Sequence, residues 1–465
     1  MARKKTTQRD FYSASELEQG TQEHATLLKQ AFDTVIAKKY GSNRPPKPYV
    51  TPTGIIPFDA LLGGGIVSSA PVMITSTPET GKSTIAFQYA KIFLDTYPNS
   101  VVVYCDIEGA GSDIENAQVT VNRIDTFNID KTRIQYERIV LTVEELFDAL
   151  YDIVQVKKQF EEKTGSEFRV LFIWDSVKAT PPSKQFQTDD PNKIIGVKAR
   201  LLSHLLDKYM PDIKFSRLNF LLIDQVRANL KIEGPYVATE KTVGQFKDFR
   251  AATQVQNLNH LTSQWIYLSK KEEISSKDNY IDVDGWKIDC FLDKNKLAPS
   301  KIIIKLIFDK IYGINKFWTE FEFLARPCPS EEKMILKAKR DLIYPLCMKQ
   351  SGSYYYLEVI DPRTGEVLYT SDKCYMKEML DYYNSDETFR QWFEYAVKIS
   401  SYMRITKGLF KIPEEERHEH IDQEEEYEES ELKTEEINDE NGEVQQTETE
   451  AVEQNDVPVY ESVFD

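Results

Sequence analysis

The segment Pro71-Val-Met-Ile-Thr-Ser-Thr-Pro-Glu-Thr-Gly-Lys-Ser-Thr84 limits what this chain can fold into more than any other. An apolar run suited to a buried strand enters a short loop, and Gly81-Lys82-Ser83 opens a helical pattern over Ser83–Leu94. Backbone N–H groups of such a loop, with the helix N-terminus behind them, surround phosphate oxygens. Lys82 is the side chain to reach the β- and γ-phosphates, and the Ser83 hydroxyl is the ligand for Mg²⁺. The candidate nucleotide site is therefore Ser76, Thr77, Pro78, Glu79, Thr80, Gly81, Lys82, Ser83 and Thr84. Patterns of this kind usually open with glycine where Ser76 stands.

Such a loop needs a sheet to carry it, and the chain supplies one. From about Thr51 to Leu324, apolar runs alternate with longer amphipathic segments, the pattern of an α/β fold. The apolar runs predict strands at Pro71–Thr75, Val101–Asp106, Val170–Trp174, Phe220–Ile223, Trp265–Leu268 and Ile302–Phe308, with helices at Ser83–Leu94, Val143–Lys163 and Ile194–Tyr209. Two strands end in acids. Asp175, after Leu171-Phe-Ile-Trp, suits a Walker-B carboxylate that holds the metal. Glu108 of Asp106-Ile-Glu108 stands at the carboxyl edge of the sheet, where ligands bind in open α/β folds, and is the candidate to polarise an attacking water. Residues 326–412 read as a smaller α+β unit. In it, Tyr354–Ile360 and Val367–Thr370 flank a turn at Asp361-Pro-Arg-Thr-Gly, and an aromatic helix pattern follows over Glu378–Ile399.

Charge divides the chain. Residues 413–465 carry 22 acids and 2 bases, a net of −20, while the remaining 412 residues carry a net of +3. The tail reads as a solvated, disordered segment, or as an internal competitor for a basic surface. No apolar run approaches the ~18 residues of a membrane helix. The basic N-terminus is followed by no apolar stretch, so a secretory signal is not expected. Five scattered cysteines without CxxC spacing argue against a disulfide framework or zinc site, and a cytoplasmic location is expected. Residues 1–50 hold one amphipathic stretch, with Leu27, Leu28, Ala31, Phe32, Val35 and Ile36 at helical spacing, suited to packing on the body or on a neighbouring subunit.

Six segments in order resemble the RecA family of recombinases, most closely its divergent phage, UvsX-like type. They are Pro52-Thr-Gly54 with Phe58-Asp59 and Leu62-Gly-Gly-Gly65; the loop Pro78–Thr84; Asp106-Ile-Glu108; Asp175-Ser176; Leu221-Leu-Ile-Asp-Gln-Val-Arg227; and Lys294-Asn-Lys296 with Ala298-Pro299. The resemblance covers roughly residues 50–325 and, more loosely, the C-terminal unit. It implies a RecA-like P-loop ATPase core (51–325) with an N-terminal helical segment (1–50), a small α+β C-terminal domain (326–412) and the acidic tail (413–465). It implies a DNA-dependent ATPase that uses ATP and Mg²⁺. Such a protein builds a homo-oligomeric helical filament on single-stranded DNA, pairs it with homologous duplex DNA and exchanges strands, assisted by single-strand-binding and loader proteins.

The resemblance also distributes roles. Glu108 is the catalytic carboxylate, Gln225 senses the γ-phosphate, and Lys294 and Lys296 reach the ATP of an adjacent subunit. A first DNA loop falls near Gln185–Lys193, with Arg200 and Ser203 on the helix after it. A second begins after Gln225 and carries Arg227, Lys231, Lys241, Lys247 and Arg250. Those five bases stand among Glu233, Glu240 and Asp248 and are interleaved with Tyr236, Phe246 and Phe249. Phosphate neutralisation plus base stacking is the physics of sequence-independent single-strand binding. The chain departs from the family in three further places. The second loop is longer, Gly109-Ala-Gly-Ser112 stands where an adenine-stacking tyrosine is usual, and Asp207 replaces a DNA-facing arginine. Two other readings share the fold or the ligands: a hexameric replicative helicase, and a filament protein that binds ATP and DNA without hydrolysis.

Overall fold

The computed structural model describes residues 26, 28–34, 44–108, 123–137, 141–183, 197–225, 230–232, 238–240, 256–276, 281–338, 342, 344–362 and 364–406. Residues 1–47 form a unit by themselves; among its described residues, 26 and 28–34 are helical, with Leu28 and Phe32 exposed. Everything below concerns the second unit, Pro48–Asp465. The expected first DNA loop and the acidic tail lie outside the described residues.

A nine-stranded sheet forms the frame. Its strands are β1 (Pro71–Ser76), β2 (Ser100–Asp106), β3 (Ile134–Glu137), β4 (Arg169–Asp175), β5 (Asn219–Gln225), β6 (Gln264–Ile274), β7 (Gly285–Asn295), β8 (Ile303–Asp309) and β9 (Gly313–Ile314). Their spatial order is β9-β8-β7-β6-β1-β5-β4-β2-β3. The run from β6 through β3 is parallel throughout, and β6 to β9 continue antiparallel. The fold is therefore mixed α/β with a large, mainly parallel sheet, as the alternating pattern predicts.

Side chains alternate faces along a strand, and here both faces are apolar. Val72, Ile74, Leu171, Ile173, Leu221 and Ile223 enter one hydrophobic cluster, while Met73, Phe172, Trp174, Phe220 and Leu222 enter the other. The first cluster receives helix α1 (Ile56–Leu62) and helix α2 (Lys82–Thr96). The second receives α3 (Val143–Thr164) and α4 (Val197–Ser216). A Thr142–Glu145 capping box starts α3 and left-handed Gly165 ends it. Helix α4 runs past the predicted end at Tyr209 with Pro211 inside it, because Met210 and Ile213 continue its buried face.

The first cluster also reaches into residues 326–406. It includes Phe317, Trp318 and Phe321 of α5 (Lys316–Ala325), and Tyr344, Leu357, Phe389 and Phe393 beyond it. The hairpin Tyr354–Ile360 with Val367–Thr370 stands where the turn at Asp361 predicts it. The aromatic helix pattern is two helices, Met379–Ser385 and Glu387–Ser401. Asp386 breaks them apart and caps the second by accepting from Phe389 N at 2.8 Å. Just beyond, the fully buried Arg404 donates to both carboxylate oxygens of Glu331 at 2.7 and 2.6 Å and to the carbonyl of Arg326 at 3.1 Å. A bidentate pair with its remaining donors satisfied is the arrangement in which a buried ion pair is tolerated.

A second buried carboxylate is less well served. Glu320 accepts from Ile56 N at 3.1 Å through one oxygen, and its other oxygen has no hydrogen-bond partner. Burial pushes its carboxyl up to about 7. Burial likewise raises neighbouring Asp59 to about 7, although Thr53 and Gly54 donate to it. A group whose folded pKa is raised holds its proton more tightly in the folded state, so its contribution to stability is lost as pH rises toward 7. Glu320→Gln should therefore raise the thermal midpoint at pH 8, by the equivalent of about 1–3 kcal/mol, and change it little at pH 5. Thermal melts at the two pH values check this; an unchanged midpoint at pH 8 contradicts it.

Candidate nucleotide site

Hydrogen-bond register brings the site together. Ser76 of β1 pairs with Gln225 of β5, Asp175 of β4 pairs with Ile223 of β5, and Asp106 of β2 pairs with Asp175. Glu108 and Gln225 each lie two residues past that shared level, so they meet across the end of β4. The Gln225 amide donates to both carboxylate oxygens of Glu108, at 3.0 and 2.7 Å, and Ser176 Oγ donates to Glu108 Oε1.

The phosphate loop is built with one real glycine requirement. Gly81 has φ of 95°, and a Cβ there would lie 2.1 Å from the Phe308 ring. Phe308 stacks on Trp286, whose indole N–H donates to Thr80 O at 3.4 Å, so an aromatic pair from β7 and β8 props the loop. Ser76 is the last residue of β1 in extended conformation, and nothing at that position demands glycine. Within the loop, Thr80 is buried and donates to Thr77 O at 3.0 Å, while Thr77, Pro78 and Glu79 are exposed. Glu79 takes a positive φ of 59°. Thr84, in the first turn of α2, is buried.

Lys82 is buried and donates to Ser76 Oγ at 2.9 Å and to Thr77 O at 3.1 Å. Burial lowers its pKa, against the opposing pull of Asp175, Glu108 and Asp224. Ser83 Oγ donates to Asp175 Oδ2 at 2.6 Å, and Tyr104 OH donates to the same oxygen at 2.8 Å. Burial is the main cause that lifts Asp175 to about 6, with Asp106 and Glu108 adding to it. A buried cation and a buried carboxylate, both shifted toward neutrality by desolvation, fit a site that takes in phosphate and a divalent ion. Among the described residues no group of three or more His, Cys, Asp or Glu side chains could hold a metal. A Mg²⁺ would therefore draw on Ser83, Asp175, phosphate oxygens and water, a donor set suited to that ion.

The remaining candidates divide. Arg200 and Ser203 lie in α4, the arginine exposed and the serine half-buried. Lys231 falls in a short strand, Leu230–Ile232, paired antiparallel with Ala238–Glu240, where sequence predicts only irregular chain. Arg227, Lys241, Lys247 and Arg250 lie outside the described residues. Lys294 and Lys296 stand at the opposite edge of the sheet. Trp265 pairs with Lys294, and Gln264 pairs with both Asn295 and Val72, the amino end of β1. Both ammonium groups donate to His260 O, at 3.1 and 3.4 Å. Sequence reasoning missed Tyr104, Ser176, Trp286 and Phe308; of these only Ser176, beside Asp175, stood in a motif.

No family model matches the chain. Curated relatives do. The chain is 27% identical over 272 residues to Protein RecA of Ureaplasma parvum, covering 58% of this chain and 71% of that protein. It is 23% identical over 299 residues to Protein RecA of Oleidesulfovibrio alaskensis, covering 62% and 75%. It is 25% identical over 302 residues to Protein RecA of Mesomycoplasma hyopneumoniae, covering 63% and 78%. The chain is similar to RecA proteins. No helix among the described residues is long and apolar enough to cross a membrane.

The raised pKa of Asp175 would set a pH limit on any metal-assisted binding at this site. Above about 6 the carboxylate is ionised and available to a cation; below it, affinity should fall by about tenfold per pH unit as one proton competes. Titrations of a fluorescent ATP analogue between pH 5 and 8, with and without Mg²⁺, should show this fall only in the Mg²⁺-dependent part. Asp175→Asn should abolish that part and leave the remaining affinity flat with pH.

Proposed function

We propose that this protein is an ATP-dependent recombinase of the phage, UvsX-like type, which forms filaments on single-stranded DNA and catalyses homologous pairing and strand exchange. The observation that carries the reading is the bond between Gln225 and Glu108. It joins the residue that starts the proposed second DNA loop to the carboxylate proposed to activate water. A nucleotidase has no need of that connection; a DNA-dependent ATPase does. The similarity to RecA proteins points the same way.

In this reading Lys82, the loop amides and the N-terminus of α2 bind the phosphates. Ser83 and Asp175 hold Mg²⁺, which when bound neutralises charge on the transferring phosphoryl group. Glu108 takes the proton of the attacking water, for which Gln225 must first release it. Gln225 changes partner from carboxylate to γ-phosphate, and that exchange orders the chain that follows. Arg200, Ser203, Arg227, Lys231, Lys241, Lys247 and Arg250 face the DNA backbone.

Lys82→Ala should abolish ATP hydrolysis and the ATP-dependent gain in DNA affinity. Glu108→Gln should keep nucleotide binding while turnover falls by a factor on the order of 10²–10⁴. If Lys82→Ala turns over at the wild-type rate, the site is misassigned. Strand exchange measured beside duplex unwinding separates a recombinase from a helicase of the same fold, and absence of DNA-stimulated hydrolysis marks the non-hydrolysing alternative.

Lys294 and Lys296 serve the next subunit in this scheme. Their edge of the sheet lies four residues of β1 away from the phosphate loop, roughly 13 Å, so within one chain they stand at the edge opposite the phosphate loop. A head-to-tail interface that does not close generates a filament. The double variant Lys294→Ala/Lys296→Ala should bind nucleotide as a monomer and lose DNA-stimulated hydrolysis. Mixing it with Lys82→Ala should recover some turnover at interfaces that pair an intact loop with intact lysines. No recovery at any ratio rules out action in trans.

A further inference from the structure

The turn Ser176–Ala179, which follows β4, is touched from three sides. Toward β2, Ser176 Oγ donates to Glu108. Toward β5, Val177 N donates to Ile223 O at 2.9 Å, Lys178 N to Asp224 Oδ1 at 3.2 Å, and Lys178 Nζ to Gln225 O at 3.5 Å. From the third side comes Lys198, in the first turn of α4. Its ammonium donates to Val177 O at 2.6 Å and to Lys178 O at 2.9 Å.

That ammonium is turned inward, although a lysine on the first turn of a helix ordinarily reaches water. Burial depresses Lys198 to about 8 while Asp224 holds it up, and burial raises Asp224 in turn. Ordering and desolvating a lysine costs free energy. Two short charge-assisted bonds to consecutive carbonyls offset that cost and leave the turn little freedom. The carbonyls belong to the same two residues whose amides are bound to β5. Lys198 therefore holds one side of a turn whose other sides hold Glu108, Asp224 and Gln225.

We propose that Lys198 is a positioning residue that couples α4 to the nucleotide site. A displacement of the start of α4 is carried through its ammonium to the turn, and from the turn to the hydrogen bonds that restrain Glu108 and Gln225. Lys198 touches neither phosphate nor the reacting water; it sets which arrangement of the turn is favoured. The inference rests on the recombinase reading, because α4 carries Arg200 and follows the proposed first DNA loop. Both DNA-facing segments then bear on one small element, the form of physical link that energetic coupling between sites requires.

The experiment measures coupling apart from binding, in the full-length chain. Single-stranded DNA affinity is titrated with and without a non-hydrolysed ATP analogue, and the ratio is the coupling. Lys198→Met, which keeps the apolar stem and removes the donors, should leave nucleotide affinity and nucleotide-free DNA affinity within about twofold. Its ratio should fall by about fivefold or more, the lower end of ordinary allosteric coupling. Lys198→Arg, which keeps charge and donors, should retain most of the ratio. The inference fails if Lys198→Met keeps the wild-type ratio, if both variants lose it equally, or if the nucleotide-free affinities fall just as far, which marks a purely structural clamp. Wild-type protein with no nucleotide-dependent gain at all defeats the recombinase reading, and this inference with it. Hydrogen exchange on the unmodified chain needs no variant to fold. With the ATP analogue present, oligothymidylate should alter protection of the Val177–Thr180 amides, and unaltered protection overturns the proposal.

Discussion

The register of the parallel ladder is the constraint on which the rest depends. Asp106, Asp175 and Ile223 share one level on three adjacent strands, and Ser76 shares a level with Gln225. A slip of one residue on any of these strands would turn its side chains to the opposite face. Such a slip is opposed by apolar side chains on both faces of every central strand, since exchanging Phe172 with Ile173, or Leu222 with Ile223, misfits both layers at once. The core thus fixes the register, and the register delivers Ser76, Asp106, Glu108, Asp175 and Gln225 to one edge without any of them contributing to the apolar core.

The price of that delivery is electrostatic. Lys82 and Asp175 are both buried, and desolvation pushes each toward its neutral form. Their hydrogen bonds to Ser76, Thr77, Ser83 and Tyr104 satisfy donors and acceptors without removing the desolvation. On the proposed reading, phosphate and a divalent cation would supply the missing opposite charges, so that ligand binding would relieve a cost already present in the fold. Glu108 is different: Gln225 and Ser176 restrain it directly, and on the proposed mechanism its release would depend on where the β5 strand end and the Ser176–Ala179 turn sit.

Much of this was legible in sequence because it is local. Buried parallel strands are continuous apolar runs, and the six predicted strands occur with ends that differ by a residue or two, except β6, which runs on to Ile274. That extension pairs with β7, a strand that went unread because its acids and lysines, Lys287, Asp289, Asp293 and Lys294, interrupt the apolar signal. Helix α5 was equally hidden in the apolar stretch Phe317–Leu324, where a buried helix and a buried strand look alike. The phosphate loop, Asp175, Glu108 and Gln225 could be named from motifs. Their supports could not. Phe308 lies 227 residues from Gly81 in sequence, yet a Cβ on Gly81 would lie 2.1 Å from its ring, and Lys198 is an unremarkable helical lysine until the turn beneath it is seen.

The two edges of the sheet carry different kinds of order. At the carboxyl edge, strand ends converge on the candidate nucleotide site. At the amino edge, convergence is on backbone: Gln264 bonds to Val67 N and to the carbonyls of Leu62 and Gly65, and Asn295 bonds to the carbonyls of Leu61 and Leu62. A Cβ on Gly63 would lie 2.8 Å from Leu297 Cβ, so the glycine stretch 63–65 and the segment Lys294–Ala298 are fitted to one another. Such fitting holds Lys294 and Lys296 on a rigid base, and both ammonium groups donate to the carbonyl of His260. On the proposed reading, this rigid backbone preorganises the two lysines for an anion carried by another subunit, because the amino edge lies across the sheet from this chain's own phosphate loop.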